Sequence, residues 1–221
     1  MAISTHPVFC RAVPAVDASF PEGRIAVLLL AAIPIYTAWV WAGLRPSLHG
    51  LAVGMAASLI AALVLGGWRS GLRGVWRDPL FAAGLAFLAY LAVQWWNSGR
   101  AVYFDVGMQA WTHTPPPHPG WPSGFDRAET GQMITWFLPA WAVALAVRSP
   151  LVPTSAVHRV LKANAYAAGL LAALGAAFYL GGSSALYGVV PLSGPFFASF
   201  AYANHAGVYF VLLGALAAGL L

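Results

Sequence analysis

Six long apolar runs, over 25–44, 51–68, 80–96, 133–147, 160–181 and 202–221, leave this chain almost no choice of solvent. Once the first polar turn of the fifth run is set aside, none of them holds Asp, Glu, Lys or Arg, and the single imidazole among them is His205. A helix needs about 20 residues to cross the hydrocarbon core, and roughly 17 suffice. The fourth run reaches that length only if its polar start, from Glu129 to Gln132, sits among headgroups. With 60% hydrophobic residues and a mean hydropathy of +0.74, the chain is too apolar for a soluble domain of its size. The pattern predicts an all-α polytopic transmembrane helix bundle of about six spans. Its partner is a lipid bilayer.

One bundle uses nearly the whole chain. Residues 1–24 read as an N-terminal segment, and 25–221 as the transmembrane domain with outer loops over 98–128 and 182–201. The net charge of +5 does not point to nucleic acid, because the basic residues are scattered at span ends. A cytoplasmic N-terminus puts Arg11, Arg24, Arg69, Arg73, Arg77, Arg148, Arg159 and Lys162 inside and only Arg45, Arg100 and Arg127 outside. The positive-inside rule favours that orientation. The first run is long and is preceded by 24 residues, which fits an uncleaved anchor and not a cleaved signal. Cys10 stands alone and can form no internal disulfide.

Small residues recur every fourth position at Gly50, Gly54, Ser58, Ala62 and Gly66, and again at Ala165, Gly169, Ala173 and Ala177. That spacing predicts close helix–helix contact along one stripe of each helix, since lipid supplies no hydrophobic drive between helices. Pro34 and Pro139 interrupt the first and fourth runs and are expected to kink them. Trp39, Trp41, Trp68, Trp95, Trp96 and Trp136 stand at or near run ends, where interfacial anchors belong.

The chemistry must therefore lie in loops and span mouths. The first outer loop carries Tyr103, Phe104, Trp111 and Trp121, with His113, His118 and Pro115, Pro116, Pro117 and Pro119 among them. Such aromatic faces stack on sugar rings or rest on the membrane surface, and the residues alone leave both open. Two histidines without an acidic or thiol partner at a recognised spacing are a weak metal signal. The second outer loop has no charge and leads directly into Asn204 and His205. An amide beside an imidazole at a span mouth suits either a helix cap in the headgroups or a polar cavity.

The stretch Gly194-Pro195-Phe196-Phe197-Ala198-Ser199-Phe200-Ala201-Tyr202-Ala203-Asn204-His205-Ala206-Gly207 resembles a segment of the O-antigen ligase and polymerase family, which opens a span from the outer face. Pro119-Gly120-Trp121-Pro122-Ser123-Gly124-Phe125-Asp126-Arg127 is similar to that family's approach to a helix after an early outer loop. The resemblance implies a bacterial inner-membrane glycosyltransferase. Such an enzyme passes a glycan from undecaprenyl diphosphate to an acceptor glycan or lipid at the periplasmic face, with no metal, nucleotide sugar or other cofactor. It implies substrate-binding roles for Asn204, His205, Arg127 and Arg100, and names no catalytic residue here.

Two departures stand out. No basic residue precedes the Gly-Phe element in 186–193, where family members carry an arginine. Family members are also longer, so the chain is expected to represent their amino-terminal half and to transfer no sugar alone. The final run ends on apolar residues without an anchor, which fits the same expectation. The alternative is a non-catalytic helical subunit of a membrane complex. A transporter is less well supported, because the runs lack the ionisable residues that ion pathways use.

Overall fold

The computed structural model describes residues 21–40, 49–69, 75–99, 102–124, 126–183, 185–187, 190–191, 197–200 and 203–220. Six helices dominate: α1 (Pro21–Val40), α2 (His49–Arg69), α3 (Pro79–Asn97), α4 (Arg127–Arg148), α5 (Thr154–Leu180) and α6 (Ala203–Gly219). The first five are long and apolar enough to cross a membrane, and α6 is a shorter apolar helix of 17 residues. Strands β1 (Val102–Asp105) and β2 (Ala110–His113) form an antiparallel hairpin between α3 and α4. Strands β3 (Ala185–Leu186) and β4 (Val190–Pro191) form a much smaller one before α6. The chain is thus an all-α, polytopic membrane protein.

The helices alternate in direction, as ion pairs and caps at one end show. Glu22 in the first turn of α1 pairs with Arg69 in the last turn of α2. Asp78 caps α3 by accepting from Leu80 N at 2.8 Å, with Pro79 following at the first helical position. Its other oxygen accepts from Nε of Arg148, the last residue of α4, at 2.9 Å. Nearby, the short turn into α5 buries Leu151 beneath Gly66 and against the backbone of Gly23. Arg69, Arg77, Arg148, Arg159 and Lys162 all lie toward this end. The opposite end, called outer, has Arg127 as its only basic residue among those described.

Several boundaries differ from the apolar runs. Residues 21–24, read from the sequence as part of the N-terminal segment, form the first turn of α1, and the rest of 1–24 lies outside the described residues. α4 begins six residues before its run, within the loop expected over 98–128, and α5 begins six residues before its own. The helices as folded therefore take in Glu22, Arg24, Arg127, Glu129, Arg159 and Lys162 near their ends. A helix continues while its backbone hydrogen bonds do, and a polar first turn among headgroups costs little.

Around α1, α2 and α4 lies the main core, built from Leu30 and Ile33, Leu59 and Leu63, and Trp141 and Leu145. α3 packs on α4, α5 on α1, and α6 on α5. The helices consequently stand with α3 at one flank and α6 at the other. The small-residue stripes fall differently from the expectation. On α2 the packed positions are Ala52, Ala56, Leu59, Leu63 and Gly67 together with Ala62 and Gly66 of the stripe, whereas Gly50, Gly54 and Ser58 face outward. On α5 the packed positions are Asn164, Ala168, Leu171 and Gly175, and Gly169, Ala173 and Ala177 are exposed. Pro34 and Pro139 share one apolar groove of about 410 Å³ between α1 and α4, with Ile33, Thr37, Trp136, Ala140 and Val143.

The Arg148 hydrogen bond and the Leu80 amide hold the Asp78 carboxyl below its usual range. A lowered carboxylate contributes stability above its ordinary value of about 4, and loses it as pH falls through the lowered one. Asp78→Ala should cost about 1 kcal/mol at pH 7, chiefly through the lost cap, because an exposed ion pair adds little. Unfolding in detergent as a function of pH checks this: the gap between parent and variant should narrow below about pH 4.

Candidate functional site

At the outer end of α3 the helix finishes on Asn97, a fully buried polar residue. Its Nδ2 donates to the carbonyls of His118 at 3.0 Å, Trp121 at 3.2 Å and Pro122 at 3.3 Å. Its Oδ1 accepts from His118 N at 2.9 Å. Ser98 adds a second tie, donating to Gln94 O at 2.5 Å and accepting from Gly124 N at 3.1 Å. The proline-rich loop is thus strapped onto a span end by side chains that satisfy its backbone. Trp96 stacks on the His118 ring with centroids 4.8 Å apart, and Trp121 lies beside both.

The strap delivers the chain to α4 in a set position. Asp126 caps that helix, accepting from Ala128 N at 3.0 Å, while Thr130 folds back onto Asp126 O. Gly124 runs so close to Thr130 that a Cβ there would lie 2.1 Å from its Oγ1. Arg127 follows as the first helical residue. Its guanidinium lies over the Trp95 ring, 4.0 Å from the centroid. A cation at a helix N-terminus meets the positive end of the dipole, so the aromatic face compensates. Among the described residues Arg127 has no carboxylate within ion-pair distance, whereas Arg69 and Arg148 at the other end each have one.

A second polar mouth forms where the chain enters α6. Phe197 and Phe200 close a tight turn through reciprocal backbone hydrogen bonds. Ala198, at φ 54°, is buried against Gly175 of α5. A Cβ on Gly175 would stand 2.7 Å from the Ala198 Cβ, so only glycine admits the turn. Gly175 lies five residues inside the end of α5, so the turn dips about 8 Å into the bundle, at 1.5 Å per residue. Ser199 donates to Ala38 O and the Tyr187 hydroxyl to Trp39 O, both at 2.6 Å, tying the segment to the last turn of α1. Burial pushes the Tyr187 phenol above its usual range, partly offset by a hydrogen bond with Ser199, and keeps it protonated as a donor.

The candidate residues fall apart into two places. Arg127 belongs to the α3–α4 mouth. Asn204 and His205 are exposed in the first turn of α6, on the side of Val208 and Leu212 and away from buried Ala206. α1 and α5 stand between these two mouths. Arg100, and Gly194, Pro195, Phe196, Ala201 and Tyr202 of the family-like stretch, lie outside the described residues. So does the expected gap at 188–189 and 192–193 where the family arginine would stand.

Sequence reasoning passed over Asn97, Ser98, Tyr187 and Ser199. A signal existed for Asn97: an amide directly after an apolar run and just before a loop rich in proline whose carbonyls need donors. Nothing local marks Tyr187 or Ser199, whose partners are 148 and 161 residues away. No group of three His, Cys, Asp or Glu side chains gathers among the described residues, and His118 is engaged in stacking. No protein family, curated protein or solved structure matches this chain.

Proposed function

We propose that this chain forms the outer mouth of a bacterial inner-membrane glycosyltransferase of the O-antigen ligase and polymerase type. Its substrates are an undecaprenyl-diphosphate-linked glycan and an acceptor glycan or lipid. The observation that supports this is Arg127: a guanidinium at the outer end of a span, braced on Trp95 and without a carboxylate partner among the described residues. In such a transfer the oxygen of the acceptor hydroxyl attacks the anomeric carbon as the bond to the diphosphate breaks, and the hydroxyl proton passes to water or to the departing diphosphate. The diphosphate leaves with the electron pair, and a forked cation stabilises that charge. Asn204 and His205 form a separate polar edge on α6, suited to hydrogen-bonding sugar hydroxyls.

The test is binding by the 221-residue chain in nanodiscs. An undecaprenyl diphosphate should bind more tightly than the matching polyprenol. Arg127→Ala should weaken the diphosphate about ten- to a hundredfold, as loss of a charge-assisted hydrogen bond of about 1.5–3 kcal/mol requires. Equal affinity for the two lipids, or no effect of Arg127→Ala, sinks the reading. The second reading, a non-catalytic subunit, draws support from Gly50 and Gly54 of α2 and Gly169 of α5. A Cβ at any of these would meet nothing within 4 Å, which leaves open faces of the kind partner helices use. Stable association with other membrane proteins and no preference for the diphosphate would favour it.

A further inference from the structure

We infer that the β1–β2 hairpin is a membrane-inserting element whose tip, Val106 to Met108, enters the outer leaflet of the bilayer beside α3. The tip's own chemistry favours lipid independently of diphosphate binding. The Asp105 carboxylate accepts from Gly107 N at 2.8 Å and Met108 N at 3.1 Å. Gln109, at φ 50°, folds its side chain back so that Nε2 donates to Val106 O at 2.9 Å. The polar side chains of the turn are thereby spent on its own backbone. What projects is apolar: Val106 and Met108 are each 73% exposed. Gly107 N, Met108 N and Val106 O thereby have partners within the turn and need no water when the tip enters lipid.

The strands carry the same character. Phe104 pairs directly with Trp111 across the hairpin, with ring centroids 5.5 Å apart, and both remain exposed, as does Tyr103. Asp105 is the only charged residue between 102 and 113. An isolated two-stranded hairpin is marginal in water, so this one needs a surface to lie on. Among the described residues no helix packs against it closely enough to be that surface. The bilayer is the cover already at hand. The hairpin leaves α3 only five residues beyond Asn97, next to Trp95 and Trp96, which are exposed at a span end where tryptophans meet headgroups. The chain that leaves the hairpin is held to the same span end where Asn97 and Ser98 bind His118 and Gly124. The aromatic belt of the spans thus continues into Tyr103, Phe104 and Trp111.

The experiment places a single cysteine at Met108, and separately at Val106, in a Cys10→Ser background. Each is labelled with an environment-sensitive nitrobenzoxadiazole dye in phosphatidylethanolamine and phosphatidylglycerol nanodiscs. A label at Leu85→Cys, exposed in the middle of α3, supplies the bilayer reference, and the free dye–cysteine adduct supplies the aqueous one. The expected result is blue-shifted emission and quenching by lipids bearing a nitroxide near the headgroup. Quenching by aqueous iodide should be several-fold weaker than for the free adduct. Iodide quenching equal to the free adduct, with no effect of nitroxide lipids, overturns the inference in favour of a solvated loop. Protection from both quenchers also overturns it, in favour of a protein cover. If one cysteine variant fails to incorporate, the other carries the same test.

Discussion

Asn97→Asp should release the outer loop from the bundle while leaving the helices assembled. The substitution keeps the acceptor that receives His118 N but replaces the amide that donates to the carbonyls of His118, Trp121 and Pro122. A carboxylate at a fully buried position would then face three carbonyl oxygens. An uncompensated buried charge of this kind costs about 3–5 kcal/mol. The chain avoids that cost by withdrawing the loop and admitting water. Asn97→Ala removes the same bonds without adding charge and should cost about 1–3 kcal/mol, because the loop carbonyls can hydrate. Hydrogen exchange reads the difference. The His118 amide and residues 114–124 should lose protection in both variants, more so with aspartate, while α2 and α4 exchange as in the parent. Unchanged protection at His118 in Asn97→Asp would mean that the strap is not what orders the loop. Arg127 should then also lose its fixed place over Trp95, so diphosphate binding should fall with the loop.

Gly84→Ala should open the α3–α4 seam. A Cβ at Gly84 would sit 2.0 Å from Nε1 and 2.2 Å from Cε2 of Trp141. Trp141 cannot yield cheaply. It is 5% exposed, and its indole donates to Leu80 O at 3.0 Å. Its ring stacks on Phe137 and lies against Phe81. Moving the ring gives up that hydrogen bond and those contacts together, and overpacking of this kind costs about 1–3 kcal/mol or more. Unfolding in mixed detergent micelles should show a loss of about 3 kcal/mol at the upper end of that range. Trp141→Phe, which trims the ring, should recover part of it. A double-mutant cycle in which the two changes merely add would show that the residues do not meet.

Pattern arguments read the helices well and their faces poorly. The runs located all six helices, because the free energy of placing a side chain in lipid is nearly additive along the chain and needs no partner. Helix starts were missed where a polar turn precedes the run, as at Glu22 and Arg127, because the Glu22–Arg69 ion pair and the Asp126 cap extend a helix without adding apolarity. The stripe argument correctly found small residues but not the side they serve. On α2, Ala62 and Gly66 pack, while Gly50, Gly54 and Ser58 on the same stripe do not. Helix crossing lets one stripe be central at one end and peripheral at the other. In the candidate site Arg127, Asn204 and His205 were legible as polar residues at span mouths. Their separation by α1 and α5 was not.

The residue pattern alone therefore set the solvent, the class and the number of helices: an all-α chain in a bilayer, with its charged side chains near the span ends. These follow from composition and period, which are local properties. Tertiary structure alone decided that Gly84 must admit Trp141, that Gly175 must admit Ala198, and that Asn97 straps a loop more than 20 residues away. It also decided that Arg127 rests on a tryptophan and that its mouth is not the mouth of Asn204. Each of these depends on which surfaces meet. Close packing and buried hydrogen bonds are settled between residues distant in sequence, so no window along the chain contains them.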